Sequence, residues 1–235
     1  MANAVRLCGV PQRLLVPFPR GKGTRPAGRN PAENNQTEKR NFFMELLLLR
    51  HSITPGNLKK QYVGITDQPL APEGEALARE KRKDMPPAEA LWISPMLRCR
   101  QTARILFPEL EPVEIPDLRE CNFGDFEGRT WAEIKDHPAY QAWMGGEQGA
   151  ALPNGESVAE FYARCRRGFQ QVIQQAASLG IQRGAVVAHG GTWMAVLEAY
   201  GRPKRPFYQW QPKNCSGFRM EVRENPLELR LLEEL

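Results

Sequence analysis

MELLLLRH, from Met44 to His51, is the stretch that most constrains this chain. Five of its first six residues are apolar, and so short and continuous an apolar run reads as a buried strand. Two more runs of the same kind follow, ALWIS at 90–94 and AVVAHGG at 185–191. Helical stretches separate them, and strands that alternate with helices predict an α/β fold with a mainly parallel sheet.

The remaining elements fill that frame. APEGEALAREKRKD (71–84) predicts a helix, and a second helix runs from Leu97 to about Phe107, with Ser94-Pro95 ahead of its first turn. VEIPDLRE (113–120) predicts a short strand entering a loop. TWAEIKDHPAYQAWM (130–144) has helical pattern, and a longer helix opens at Gly155-Glu156-Ser157 and closes at Leu179, with Gly180 as its C-cap. A helix follows the AVVAHGG strand from Thr192. SGFRMEVRENPLELRLLEE (216–234) predicts two edge strands joined by the Glu224-Asn225-Pro226 turn.

Charge is unevenly placed. Residues 1–43 hold eight basic and two acidic residues, whereas the other 24 basic and 25 acidic residues nearly balance, so the net +5 belongs to the front of the chain. A nucleic-acid-binding domain would carry its cations on a folded face, so no nucleic-acid partner is expected. The front segment lacks helical or strand periodicity and is rich in Pro, Gly, Arg and Asn. It reads as a disordered basic extension, and Met44 opens directly onto a strand, as a natural start would. The prolines and the polar run AGRNPAENNQTEKR oppose the amphipathic helix of an organellar leader, and the segment has no apolar core like that of a secretory signal.

No apolar run approaches the ~20 residues that span a bilayer, so no membrane association is expected. The five cysteines (Cys8, Cys99, Cys121, Cys165, Cys215) are odd in number and widely spaced, with no C-x-x-C pair and no histidine at metal-ligand spacing. That usage fits a reducing, cytoplasmic compartment, buried packing roles for the last four, and no metal.

Two of the predicted strands end on histidine: LLLLRH at Arg50-His51 and AVVAH at His189. Ligands of open parallel sheets bind beyond the carboxyl ends of the strands, which puts both histidines at one mouth. A lone histidine at a strand end is most simply a structural hydrogen-bond partner. Here, however, Arg50 precedes His51, the loop SITPGN follows it, and Arg98 stands just past the ALWIS strand. Two guanidiniums and two imidazoles at one sheet mouth suit a small dianion, because Arg offers a rigid fork of donors to phosphate oxygens. Buried without an anion, such a cluster repels itself.

Arg50-His51-Ser52 with Thr54 and Asn57, then SPMLRCRQTA (94–103), LRECNFGDFEG (118–128) and VVAHGG (186–191), together resemble the histidine phosphatase superfamily, which also contains cofactor-dependent phosphoglycerate mutase. The motifs occur in the family's order and cover nearly all of the chain from Met44. The resemblance implies a three-layer sandwich with a mainly parallel central sheet and a small helical cap, phosphoglycerate mutase-like, over residues 44–235, with the cap at about 129–167. It implies that His51 is the nucleophile that takes the phosphoryl group, that Arg50, Arg98 and His189 bind its oxygens with help from Asn57, and that Glu120 is the acid that protonates the leaving oxygen and then activates water. No cofactor is implied. Ser52 stands where the family usually has Gly; a side chain there could crowd the pocket or require a backbone angle that Gly tolerates better, but some members carry serine or alanine, so activity is expected to be little affected. Ile53 replaces a frequent Glu.

GNLKKQYVGITDQPLAPEG (56–74) and RECNFGDFEG resemble the α-ribazole phosphatase branch, whose members dephosphorylate a nucleotide-loop precursor of cobalamin. The resemblance therefore implies a small-molecule phosphate ester as partner, with a broad-specificity phosphatase as the alternative. A mutase is expected to need inserted segments that the 192 residues from Met44 do not offer. A non-catalytic phosphate-binding domain would be marked by loss of His51 or Glu120, and both are present. A protein phosphatase acting on phosphohistidine would want little cap. Trp131, Tyr140, Trp143, Phe161 and Tyr162 are candidates to stack on a substrate ring, although aromatics on helices more simply form core. Asp67 and Glu73 are most simply solvated loop acids.

Overall fold

The computed structural model describes residues 44–235 apart from 146 and 148; the basic extension expected over 1–43, with Cys8, lies outside the described residues. Strand β1 (Met44–Arg50) occupies the middle of a seven-stranded sheet. Successive strand side chains point to opposite faces, and β1 uses both. Leu46 and Leu48 enter one apolar cluster, Leu47 and Leu49 the other. A strand buried in this way needs helices on both sides, and these make the outer layers.

The other strands are β2 (Ala90–Ile93), β3 (Pro112–Glu114), β4 (Arg183–Ala188), β5 (Gly201–Arg202), β6 (Gly217–Arg223) and β7 (Glu228–Glu234). Their spatial order is β3-β2-β4-β1-β6-β7-β5. Pairing is parallel from β3 to β1, antiparallel from β1 through β6 to β7, and parallel again at β5. The sheet is thus parallel throughout the half that runs from β3 to β1. The C-terminal hairpin corrects the expectation of two edge strands. β6 lies inside the sheet, hydrogen-bonded to both β1 and β7, and its buried Phe218, Met220 and Val222 join the cluster of Leu46 and Leu48.

The helices are α1 (Pro55–Leu58), α2 (Pro72–Lys81), α3 (Leu97–Leu106), α4 (Trp131–Ile134), α5 (Pro138–Gly145), α6 (Val158–Leu179) and α7 (Gly190–Tyr200). α2 and α3 cover the Leu47 face with Ala78, Cys99, Ala103 and Leu106. α6 and α7 cover the Leu46 face. α6 starts on a capping box, Ser157 with Glu160, and stops at Gly180 in the left-handed conformation. Between these caps Phe161, Cys165, Phe169, Val172 and Ala176 recur at helical spacing and are buried against the sheet. Each fully buried large side chain here contributes roughly 1.5–3 kcal/mol.

The helical pattern at 130–144 resolves into α4 and α5, broken ahead of Pro138, whose ring cannot continue a preceding helix turn. Phe126, Ile134, Tyr140 and Leu152 form a small apolar cluster of their own in this region. Phe161 and Cys165, within the stretch expected as cap, join the apolar cluster of Leu46 and Leu48 instead, while the buried Arg164 turns to the 117–120 loop. No described helix is long and apolar enough to cross a membrane.

Candidate active site

β1, β2 and β4 are parallel neighbours, so their carboxyl ends share one edge. His51 is the first residue beyond β1 and its amide donates to the Ala188 carbonyl at 2.9 Å. His189 follows β4 and caps α7. The imidazole centroids of His51 and His189 are 5.2 Å apart, with the rings inclined at 64°. Arg98 sits in the first turn of α3, just after β2. The predicted juxtaposition of these side chains is present.

His51 is 4% exposed, and its Nδ1 lies 2.7 Å from the Ser52 carbonyl oxygen. A carbonyl can only accept, so Nδ1 carries the proton and Nε2 carries the lone pair. Burial, reinforced by the Arg98 and Arg50 charges, holds the His51 pKa well below 6.5, against a smaller opposing pull from the Ser52 carbonyl. His189 is wholly buried. Its Nδ1 accepts from Arg98 Nε at 3.3 Å, which leaves Nε2 as the donor to Ser94 Oγ at 2.7 Å. Burial first, then Arg98, His51 and Arg50, keep it neutral as well. Both rings are therefore uncharged beside two guanidiniums.

Arg98 is fully buried and commits its terminal nitrogens to the 63–66 loop: Nη1 to the Thr66 carbonyl at 3.0 Å, Nη2 to the Gly64 carbonyl at 2.7 Å. Arg50 donates through Nη1 to Pro212 at 3.0 Å, and its buried Nε has no partner among the described residues. Burial lowers the Arg50 pKa, the Glu120 charge opposes that, and Arg98 adds to it. A part-buried guanidinium whose buried Nε is an idle donor is suited to an anion.

Glu120 approaches from the loop after β3. Its Oε1 accepts from its neighbour Cys121 N at 3.0 Å, and Oε2 from Gly191 N, also at 3.0 Å, at the start of α7. A Cβ on Gly191 would lie 2.4 Å from Glu120 Oε1, so a side chain there would displace the carboxylate from this amide. Burial raises the Glu120 pKa above 4.5, resisted by those two amides and by Arg98 and Arg50. A carboxyl with a raised pKa can hold a proton to give. Asn57 is the third residue of α1, where Thr54 and Asn57 form a reciprocal capping box, and its Oδ1 also accepts from Asn214 Nδ2 at 3.1 Å.

Three contacts were not anticipated. Asn214 Nδ2 also donates to the His51 carbonyl at 3.2 Å, tying the His51 loop to a segment 163 residues away. Thr102 Oγ1 accepts from Ser52 N at 2.9 Å. Asp67, expected as a solvated acid, is exposed but accepts from Leu97 N at 2.7 Å and so caps α3 immediately before Arg98. No local pattern marks Asn214, whereas Asp67 could have been found as an acid able to reach an uncapped helix start.

Ser52 does not crowd the site. Its hydroxyl points into the fold and donates to the Gly74 carbonyl at 2.7 Å, and it is not among the residues with positive φ. The cap aromatics are largely committed to packing. Tyr140 is 5% exposed, bonds Tyr62 through the hydroxyls at 2.7 Å and stacks on Trp143; Phe161 is buried against the sheet. Cys99, Cys121, Cys165 and Cys215 are free and buried. Glu73 is exposed, and no group of three or more His, Cys, Asp or Glu gathers as metal ligands among the described residues.

Comparison with known proteins agrees with this geometry. Residues 46–234 match the sequence profile of the Histidine phosphatase superfamily (branch 1). The probable phosphoglycerate mutase GpmB of Yersinia enterocolitica is 29% identical over 193 residues, 78% of this chain and 87% of that protein. The alpha-ribazole phosphatase of Shigella flexneri superposes with a TM-score of 0.67 at 26% identity, over 80% of this chain and 96% of that one. TTHB049 from Thermus thermophilus gives 0.62 at 33% identity, over 82% and 99%.

Proposed function

The chain belongs to the histidine phosphatase superfamily, and from that premise we propose that it hydrolyses phosphomonoesters through a phosphohistidine on His51 without a metal ion. The observation that carries the reading is the Nδ1–Ser52 bond, which leaves the lone pair of a neutral imidazole on Nε2 beside Arg50, Arg98 and His189. In the first step the Nε2 lone pair attacks phosphorus, the ester P–O bond breaks, and the leaving oxygen takes the proton of the Glu120 carboxyl. In the second, Glu120 takes a proton from water, the water oxygen attacks phosphorus, and the N–P bond breaks to release inorganic phosphate. His51 returns to its neutral form. Phosphoryl transfer gathers negative charge on the equatorial oxygens, so fixed donors such as Arg50 and Arg98, with Asn57 alongside, supply most of the stabilisation, and His189 joins them once its Nε2–H turns from Ser94 to the phosphoryl group.

For the substrate we propose α-ribazole 5′-phosphate, within cobalamin assembly in the cytoplasm. Two things support it: the 56–74 stretch resembles that branch, and the Shigella flexneri structure is named as such a phosphatase. The second reading is a mutase, favoured by the name of the Yersinia relative. Length does not separate the two, because this chain covers 87% of that relative.

The test is an assay in EDTA with α-ribazole 5′-phosphate, 3-phosphoglycerate and an aryl phosphate, using the wild type and His51→Ala. Preference for α-ribazole phosphate, with a labelled phosphoenzyme trapped by acid quench only in the wild type, supports both proposals. Transfer of the label to a second phosphoglycerate favours the mutase. Activity that survives in His51→Ala removes the nucleophile assignment.

A further inference from the structure

Glu127, the last acid of the LRECNFGDFEG motif, takes no part in the mechanism above, yet its carboxylate is the most heavily engaged in the described structure. It accepts from the amides of Gly64 at 3.0 Å, Ile65 at 3.1 Å and Thr66 at 3.3 Å, from Thr66 Oγ1 at 2.7 Å, and from Phe123 N at 3.1 Å. Three consecutive loop amides thus turn toward one carboxylate. The carbonyls of the same loop turn the other way, onto Arg98: Gly64 O at 2.7 Å and Thr66 O at 3.0 Å from its terminal nitrogens, with Val63 O at 3.4 Å.

The loop therefore works as a two-sided bracket, with an anion on its amides and a guanidinium on its carbonyls. Gly64 is held tightly in this arrangement. A Cβ there would fall 1.8 Å from the Cys121 carbonyl and 2.5 Å from Glu127 Oε1, so the loop can approach the motif only without a side chain. Asp67, the next residue after Thr66, fixes the loop from its other end by capping α3 at Leu97. Arg98 in turn reaches His189 through Nε. Buried charges keep one orientation only when their donors are satisfied on rigid partners.

We propose that Glu127 is the positioning residue for Arg98: by anchoring the 63–66 loop through its amides, it aims the guanidinium at the transferred phosphoryl group. This rests on the reading of Arg98 as a phosphate ligand.

A double-mutant cycle separates the two ideas. Steady-state hydrolysis of an aryl phosphate and inhibition by orthovanadate are measured for the wild type, Glu127→Gln, Arg98→Ala and the double variant. Gln keeps the size but turns an NH2 toward loop amides that need an acceptor. Misplacement of a positioned group by about 1 Å costs ~10²-fold, so Glu127→Gln is expected to lower kcat/KM and vanadate affinity by ~10–100-fold and to lose almost nothing more in the Arg98→Ala background. Leu229→Ala, a core truncation on β7, serves as the control that loses stability while keeping kcat/KM per folded molecule. Should Glu127→Gln fail to fold, Thr66→Val removes only the 2.7 Å hydroxyl contact and is expected to give a smaller loss in the same direction, again absent without Arg98. Full vanadate affinity in the Glu127 or Thr66 variant, or equal losses with and without Arg98, overturns the positioning role while leaving Arg98 in place. Unchanged vanadate affinity in Arg98→Ala overturns the phosphate-ligand reading and this inference with it.

Discussion

The Nδ1 of His51 lies 2.7 Å from the carbonyl oxygen of Ser52, the next residue in the chain, so the loop after β1 fixes the tautomer of its own imidazole. Burial and the two arginines then keep that ring neutral well below 6.5. The neutral form is the one the proposed mechanism uses, so kcat/KM is expected to show no acid loss from His51 as pH falls through 6.5, where a free histidine would already be half protonated. On the proposed mechanism the alkaline limb belongs to Glu120, which would carry a proton in the first step and whose pKa is raised above 4.5. A pH–rate profile checks both limbs. In Glu120→Gln the alkaline limb should disappear and the rate should fall by ~10²–10⁴-fold, the contribution of a general acid. An acid limb centred at about 6.5 would remove the argument for a depressed His51.

The same burial makes stability depend on pH with a definite sign. His51 and His189 are held well below 6.5 in the folded protein, while the unfolded chain protonates them near that value. As pH falls below about 6.5 the unfolded state binds more protons, so stability is lost at about 1.4 kcal/mol per pH unit for each histidine until the folded values are reached. Glu120 acts in the opposite sense. Its folded pKa lies above 4.5, so between 4.5 and that value it favours the folded state as pH falls. Two histidines outweigh one acid. Urea midpoints should therefore decline from about pH 7 to about pH 5, and His189→Asn should make that decline about half as steep.

Ser52→Gly is expected to leave kcat/KM within about twofold and to lower stability by ~1–2 kcal/mol. The hydroxyl bond to the Gly74 carbonyl contributes ~0.5–1.5 kcal/mol, and glycine adds freedom to the unfolded chain. Denaturant titration beside a rate measurement resolves the two effects. A large gain in activity would mean that the serine does obstruct phosphate.

What was legible in the sequence follows from how local each signal is. The strand ends at His51 and His189 could be read because apolar runs stop there, and Arg98 because a helix start follows a strand end. Ser52 could be named as a departure, but which way its hydroxyl points depends on Gly74, 22 residues on. Asn214 was invisible for the same reason, since its partners lie 157–163 residues away and its loop has no periodicity. β6 alternates buried and half-exposed positions along Met220–Val222, which reads as an edge, yet its place in the sheet is set by pairing with β1. The arginine cluster was legible as a charge problem. Its partial solution by loop carbonyls was not, because backbone acceptors leave no mark in composition.

Tyr140 separates packing from recognition in the cap. If its ring belongs to the small core, Tyr140→Phe removes only the hydroxyl bond to Tyr62 and should cost ~0.5–1.5 kcal/mol with KM unchanged. Tyr140→Ala should cost ~3–5 kcal/mol, as a buried aromatic truncated to a cavity does. A several-fold rise in KM for α-ribazole 5′-phosphate in Tyr140→Phe, at unchanged stability, would return this residue to the substrate.

Arg164 and Glu156 are a mostly buried ion pair, 2.7 Å apart, and they hold the backbone that carries Glu120. Arg164 donates to the carbonyls of Asp117 and Arg119 at 2.9 Å each and of Glu120 at 3.2 Å, while Glu156 accepts from Asn122 N at 3.3 Å. Removing one partner strands the other charge and frees three carbonyls. Arg164→Met is therefore expected to cost ~3–5 kcal/mol, more than Arg164→Met combined with Glu156→Gln once the pair is removed together. Because the clamp lies behind Glu120, the single variant should also shift the alkaline limb of the pH–rate profile, whereas the acid limb from His51 stays where it was. Equal stability losses in the single and double variants would show that the two charges act independently and that their proximity contributes nothing.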